Sequence, residues 1–221
     1  VTYHDNLSST KHVYDHSAED YAAAVGTTVT PDFETPLDRA MLSAFALQVN
    51  ESGGGRVADI GCGVGRATSY LADQGLDILG VDVSPQMVAV ALAAHPDLEF
   101  EVGSLMALPF EAESLAGAVL WYSIIHTPPP DLPGVWRELA RVLAVPGNVL
   151  LAFQAGGNDE VVQADAHGTG VTLRHYRHLL EDVATSLNES GFEVQARWWR
   201  EPELEHETTP QAGLLARLAT N

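Results

Sequence analysis

The rhythm of apolar and polar positions changes near residue 56. Before it, Ala18 to Val25 has helical composition. Pro36 to Val49 places Leu37, Ala40, Met41, Ala44, Phe45 and Leu47 at helical spacing. Glu51-Ser-Gly-Gly-Gly55 then breaks the chain, because three consecutive glycines hold no regular element. Beyond the break, strand-length and helix-length patterns alternate. Val57 to Ile60 reads as a short buried strand, followed by a glycine loop and a helix to about Gln74. Asp77 to Asp82 is a second strand. Ser84 as N-cap and Pro85 at the first helical position open a helix that ends near His95-Pro96.

Leu98 to Val102 alternates with period two, a third strand, and Ala116 to Tyr122 is the continuous apolar run of a central parallel strand. The prolines of Thr127 to Asp131 block its continuation. A helix is expected from Leu132 to Leu143, a turn at Pro146-Gly147 and a fifth strand from Asn148 to Phe153. The last third reads as a helix over Tyr176 to Glu189, a stop at Ser190-Gly191 and a strand over Phe192 to Arg200. Ala212 to Leu218 suits strand or helix equally by pattern. The alternation argues for a doubly wound α/β sheet, over residues 57–221, behind a helical region at 1–56.

Composition narrows the function classes. The 221 residues suffice for one domain with a sizeable core. The longest apolar runs, such as Met87 to Ala94, are eight residues, against about 20 for a membrane-spanning helix. The N-terminal residues Val1 to Asn6 show no basic region followed by an apolar stretch, so a cytoplasmic protein with no membrane partner is expected. Thirty acidic residues against eleven basic ones give a net charge of −19. The acids are spread along the chain and Lys11 is the single lysine, which leaves no basic stripe for a nucleic acid. Arginine far outnumbers lysine and alanine is abundant, as in GC-rich bacterial genomes. One cysteine, Cys62, excludes an internal disulfide.

The chemistry concentrates in Asp59-Ile-Gly61-Cys62-Gly63-Val64-Gly65-Arg66, between the first strand and its helix. Open α/β sheets bind ligands beyond the carboxyl ends of their strands, where strand order reverses. The spacing is G-x-G-x-G, with Arg66 in the place of the third glycine of the dinucleotide fingerprint. Asp82 closes the second strand 17 residues after Gly65, where a carboxylate can accept both hydroxyls of a ribose. No lysine-containing phosphate loop is present, which excludes P-loop hydrolysis of nucleoside triphosphates.

These residues resemble the class I S-adenosylmethionine-dependent methyltransferases, in their small-molecule, UbiE-like branch. Asp59 to Gly65 is similar to that family's first motif and Gly80-Val-Asp82-Val-Ser-Pro-Gln-Met87 to its second. Gly103 to Phe110, Trp121-Tyr-Ser-Ile-Ile-His126 and Glu138 to Gly147 match later motifs in the same order. The resemblance covers roughly residues 35–220. It implies a Rossmann-like, mostly parallel seven-stranded sheet with an N-terminal helical cap.

It also implies S-adenosylmethionine as cofactor, S-adenosylhomocysteine as product, and in-line methyl transfer to a small-molecule acceptor. Gly61, Cys62 and Gly63 would lie along the methionine part of the cofactor, with Asp59 near its amino group. Asp82 would hold the ribose, and Val83 and Met87 would flank the adenine. Gly103, Ser104 and Leu105 would lie at the adenine edge. The family usually has aspartate where Ser104 stands, so adenine recognition leans on the Leu105 backbone. Tyr122 and Ser123 would face the transferring methyl, and Tyr14 and Tyr21 are lid contacts.

The remaining candidates carry a plainer reading beside the chemical one. Cys62 is a reactive thiol or, as small buried cysteines usually are, inert packing. His126 is a general base at the acceptor rim or a hydrogen-bonded anchor of the Pro128 to Pro130 turn. His12 with His16 and His175 with His178 have helical metal-ligand spacing but no cysteine or carboxylate partner in sequence, so no metal is expected. Trp198-Trp199 is expected to pack on the sheet, and Glu201 to Glu207 to form a solvated connector. Two rival functions remain: a cofactor-binding protein without catalysis, for which Ser104 is the one pointer, and a nicotinamide-dinucleotide oxidoreductase, which the glycine spacing disfavours.

Overall fold

The computed structural model describes residues 3–219. Val1 and Thr2, at the head of the segment read above for a leader, lie outside the described residues, as do Thr220 and Asn221. The helices are α1 (Tyr3–Val25), α2 (Pro36–Glu51), α3 (Arg66–Asp73), α4 (Pro85–Ala94), α5 (Leu132–Val142) and α6 (Leu180–Glu189). The strands are β1 (Val57–Ile60), β2 (Ile78–Asp82), β3 (Glu99–Val102), β4 (Leu115–Trp121), β5 (Leu143–Gln154), β6 (Asp159–Gln163), β7 (Leu173–Arg177), β8 (Phe192–Arg200) and β9 (Gln211–Leu218).

Seven strands form one sheet in the order β3-β2-β1-β4-β5-β9-β8, and β6 pairs with β7 separately. Neighbours from β3 through β5 run parallel, and β9 is antiparallel to both β5 and β8. Period-two alternation sorts each strand between two helical layers. Val57, Val119 and Leu150 point to Leu42, Phe45 and Leu71 of α2 and α3. Ala58, Ile60, Leu120 and Leu151 point the other way, to Trp136 and Leu139 of α5 and to Val183 and Leu187 of α6. Each such fully buried leucine or phenylalanine contributes roughly 1.5–3 kcal/mol.

Capping follows the sequence at two helices. Ser84 Oγ accepts the Met87 N–H at 3.1 Å. Thr35 and Asp38 form a reciprocal capping box at α2. Helix α1 lies outside the sheet and is pinned on two sides. Ala18 packs against Val64 and Met87, and Val13 packs against Ala166 and Leu173 of the β6–β7 region. No helix among the described residues is long and apolar enough to cross a membrane.

Three sequence expectations change, and one open reading resolves. The helix at Ala18 to Val25 starts much earlier, at Tyr3. The expected turn at Pro146-Gly147 lies within β5 as a bulge, the register to β4 jumping from Leu115↔Leu143 to Gly117↔Asn148. Tyr176 is strand, not helix. It pairs with Glu160, and α6 begins only at Leu180, where Asn158 caps it by accepting the Leu179 N–H at 2.9 Å and donating to Asp182 at 2.7 Å. That also removes the helical spacing of His175 and His178. Ala212 to Leu218 is strand; its run without polar side chains from Ala212 to Ala216 reflects the interior place of β9, covered on both faces.

Candidate functional site

Strand order reverses between β1 and β4, and a cavity of about 360 Å³ opens over their carboxyl ends. Its floor is the glycine loop. Gly61 and Cys62 both donate to the Val81 carbonyl, at 2.7 and 3.0 Å, which turns the chain sharply out of β1. Gly61 has φ +78°, and a Cβ there would stand 2.2 Å from the Ser123 Cβ. The loops after β1 and β4 therefore touch only because position 61 carries no side chain. Cys62 is buried, and burial with Asp82 and Asp59 nearby pushes its thiol well above the ordinary range, so it stays protonated and inert.

Two carboxylates close the ends of β1 and β2. Asp82 Oδ2 accepts the Gly63 N–H at 2.9 Å and Oδ1 the Ser84 N–H at 2.8 Å. Burial raises its pKa while these N–H bonds oppose the shift. Asp59 Oδ2 accepts the Thr68 hydroxyl at 2.7 Å, but Oδ1 is buried with no partner. Burial, the largest cause, pushes Asp59 up to about 7, against the Thr68 bond and with help from Asp82.

Helix α1 forms the roof. Tyr14 donates its hydroxyl to His126 Nε2 at 2.9 Å, because His126 Nδ1 carries its proton toward the Arg174 carbonyl at 3.1 Å. Burial lowers His126 to about 4, so the ring is neutral at physiological pH and both its nitrogens are engaged inside the protein. Asp15 reaches across to α4 and accepts from Ser84 Oγ at 2.7 Å.

The far wall comes from segments remote in sequence. Glu34 grips Arg66 with both oxygens at 2.6 Å, and the guanidinium lies 4.8 Å over Phe33. Arg200 lies between Asp38, at 2.9 Å, and Glu207, at 2.5 and 2.7 Å. Glu207 is thus no part of a solvated connector: it is buried, lines the cavity and is held down to about 2, its bonds to Arg200 and to the Leu204 and Glu203 N–H groups outweighing burial. Tyr122, at φ +60°, is held by its N–H to the Ala152 carbonyl at 2.9 Å.

Thirteen of the sequence candidates line this one cavity: Tyr14, Tyr21, Asp59, Gly61, Cys62, Gly63, Asp82, Val83, Met87, Leu105, Tyr122, Ser123 and His126. Gly103 and Ser104 do not. The Gly103 N–H is spent on the Asp82 carbonyl at 2.9 Å, and Ser104 Oγ accepts the Met106 N–H at 3.3 Å. The sequence reading missed Glu34, Trp121, Gln154, Glu207 and Gln211. Gln154 closes the apolar run of β5 and Gln211 opens that of β9, but their meeting rests on the antiparallel pairing of strands far apart in sequence. His12 and His16 stack at 4.9 Å, and no three metal-ligating side chains gather among the described residues.

Residues 57–147 match a family model described as a methyltransferase domain. Methyltransferase GfsG of Streptomyces halstedii is 32% identical over 158 residues, covering 66% of this chain and 56% of that protein. The chain spans about half the length of the curated relatives it matches. Among solved structures, 1,6-didemethyltoxoflavin-N1-methyltransferase of Burkholderia thailandensis, with bound 1,6-didemethyltoxoflavin and S-adenosylhomocysteine, has a TM-score of 0.70 at 17% identity. That likeness covers 100% of this chain and 92% of the other. The [4+2]-cyclase SpnF has a TM-score of 0.73 at 18% identity, covering 96% of each chain. At these identities the structural likenesses show the fold.

Proposed function

We propose that the chain is a class I S-adenosylmethionine-dependent methyltransferase, which binds S-adenosylmethionine in this cavity and transfers the methyl to a small-molecule acceptor. The observation that carries the reading is the charge of the lining. Of the four carboxylates that line it, Glu34 is neutralised by Arg66 and Glu207 by Arg200, which leaves Asp59 and Asp82 without a cation. A ligand with a sulfonium and an ammonium suits such a site, and a dinucleotide pyrophosphate does not.

The residues fit the cofactor. Each Asp82 oxygen uses one lone pair on a backbone N–H, which leaves one apiece for the two ribose hydroxyls. The unpartnered Asp59 Oδ1 would accept from the amino group. Gly61, Cys62 and Gly63 bring bare backbone against the methionine part, and Val83, Met87 and Leu105 give apolar surface to the adenine. Tyr14 and Tyr21 cover it from α1, and Tyr122 and Ser123 face the methyl.

The cofactor supplies a methyl on a sulfonium, already a good leaving group. The protein's task is to align the acceptor and exclude water. With both ring nitrogens of His126 engaged, its part in this reading is to hold Tyr14, and no protein base is required for a nucleophile with a free lone pair. The test is release of S-adenosylhomocysteine from S-adenosylmethionine on adding a small-molecule extract. Extract-dependent release, lost in Asp82→Ala, supports transfer. Tight binding with no release from any extract would favour the non-catalytic reading, and binding of nicotinamide dinucleotide alone would sink both.

A further inference from the structure

The strand order sets out the cavity in sequence along the sheet. Asp82 ends β2, Asp59 lies in β1, and Gln154 ends β5 directly opposite Gln211 at the head of β9. Strands lie about 4.8 Å apart, so a cofactor whose ribose is at β2 and whose amino group is at β1 leaves the ends of β5 and β9 for the acceptor. The charged groups on that side are saturated. Glu207 spends its oxygens on Arg200, on Glu203 N–H and on Leu204 N–H. Glu34 spends its own on Arg66 and the Thr30 N–H. Gln211 is buried, its carboxamide tied to the Thr209 carbonyl at 2.7 Å.

On β4, β5 and the turn after β4, the lining groups with hydrogen-bonding capacity left over are uncharged, the buried Ser123 Oγ among them. Gln154 and Trp121 both line the cavity, Trp121 pairing with Ala152 two residues before Gln154 on the same face of the sheet, and the Trp121 Nε1–H is buried without a partner. A buried donor without a partner is costly until a ligand lone pair reaches it.

We propose that the methyl acceptor is an uncharged compound with an amide-like edge, a carbonyl oxygen beside an N–H or O–H, read by the Gln154 carboxamide and the Trp121 N–H. This inference rests on the methyltransferase reading. It replaces the cationic preference that the overall acidity would suggest, because the carboxylates on the acceptor side serve the protein's own arginines.

The test is equilibrium dialysis of the full chain with three probes of one shape: 2-naphthamide, 2-naphthoate and 2-naphthylmethylamine, each with saturating S-adenosylhomocysteine. The neutral amide is expected to bind about tenfold more tightly than either charged probe. Gln154→Leu should erase that preference while leaving S-adenosylhomocysteine affinity unchanged, which also shows that the variant is folded. Gln154→Glu should shift the preference to the amine. Equal binding of the three, no measurable binding of the amide, or an amide preference that survives Gln154→Leu would overturn the proposal. A failure of S-adenosylhomocysteine to bind would instead fall on the cofactor reading.

Discussion

Asp59 and Glu207 are both buried carboxylates on one cavity, and the protein treats them in opposite ways. Asp59, in the half built by β1 and β2, keeps one oxygen without a partner and is pushed up to about 7. Glu207, in the half built by β5, β9 and the loop before β9, is saturated by Arg200 and its own loop and is held down to about 2. One half leaves a buried oxygen unspent, where the proposed cofactor would place its amino group. The other uses its negative group to hold a loop in place. On the proposed function, the buried carboxylate of the first half serves the ligand and that of the second serves the fold.

The largest effect should come from breaking the structural half. Arg200→Met leaves Asp38 and Glu207 buried without their cation and is expected to cost about 3–5 kcal/mol in a urea titration. S-adenosylhomocysteine affinity should persist wherever the variant is folded. Gly61→Ala breaks the functional half by geometry. Its Cβ would overlap Ser123 at a left-handed backbone position, so it should abolish S-adenosylhomocysteine binding in calorimetry and lower stability by roughly 1–3 kcal/mol.

The pH dependence sharpens the contrast. Because the folded-state pKa of Asp59 lies above its unfolded value, the folded state holds the extra proton, and stability without ligand falls as pH rises from about 4 to about 7. Asp59→Asn should flatten that slope in pH-resolved thermal melts and raise stability above it by roughly 2–4 kcal/mol, while weakening S-adenosylhomocysteine binding. Glu207 has the opposite sign. Its contribution is complete above the ordinary carboxylate range and is lost as pH falls toward about 2, so Glu207→Gln should reduce the loss of stability in acid. The smallest effect is expected from Ser104→Asp. It keeps the acceptor for the Met106 N–H and lies outside the cavity lining, so S-adenosylhomocysteine affinity should change by no more than a few-fold.

The two halves also differ in how far their sequence announces them. Asp59, the glycine loop and Asp82 fall within one strand-loop-helix-strand unit, where spacing along the chain is spacing in space. The five parallel strands and the cap at Ser84 were legible for the same reason. Glu207 was not. It ends a run in which Glu201, Glu203 and Glu205 are exposed, and only the return of the loop over Arg200 distinguishes it from them. Gln154 and Gln211 lie far apart in sequence and meet through antiparallel pairing, which no local pattern encodes. Tyr176 misled because its spacing to Leu180 and Val183 fits a helix face, whereas its pairing with β6 is a tertiary fact.

The most direct test of the cofactor half is calorimetric titration with S-adenosylhomocysteine of the wild-type chain beside Asp82→Ala. Micromolar binding that is lost in the variant is the predicted result. No heat with the wild type, or affinity unchanged in Asp82→Ala, would contradict the placement of the cofactor over β1 and β2.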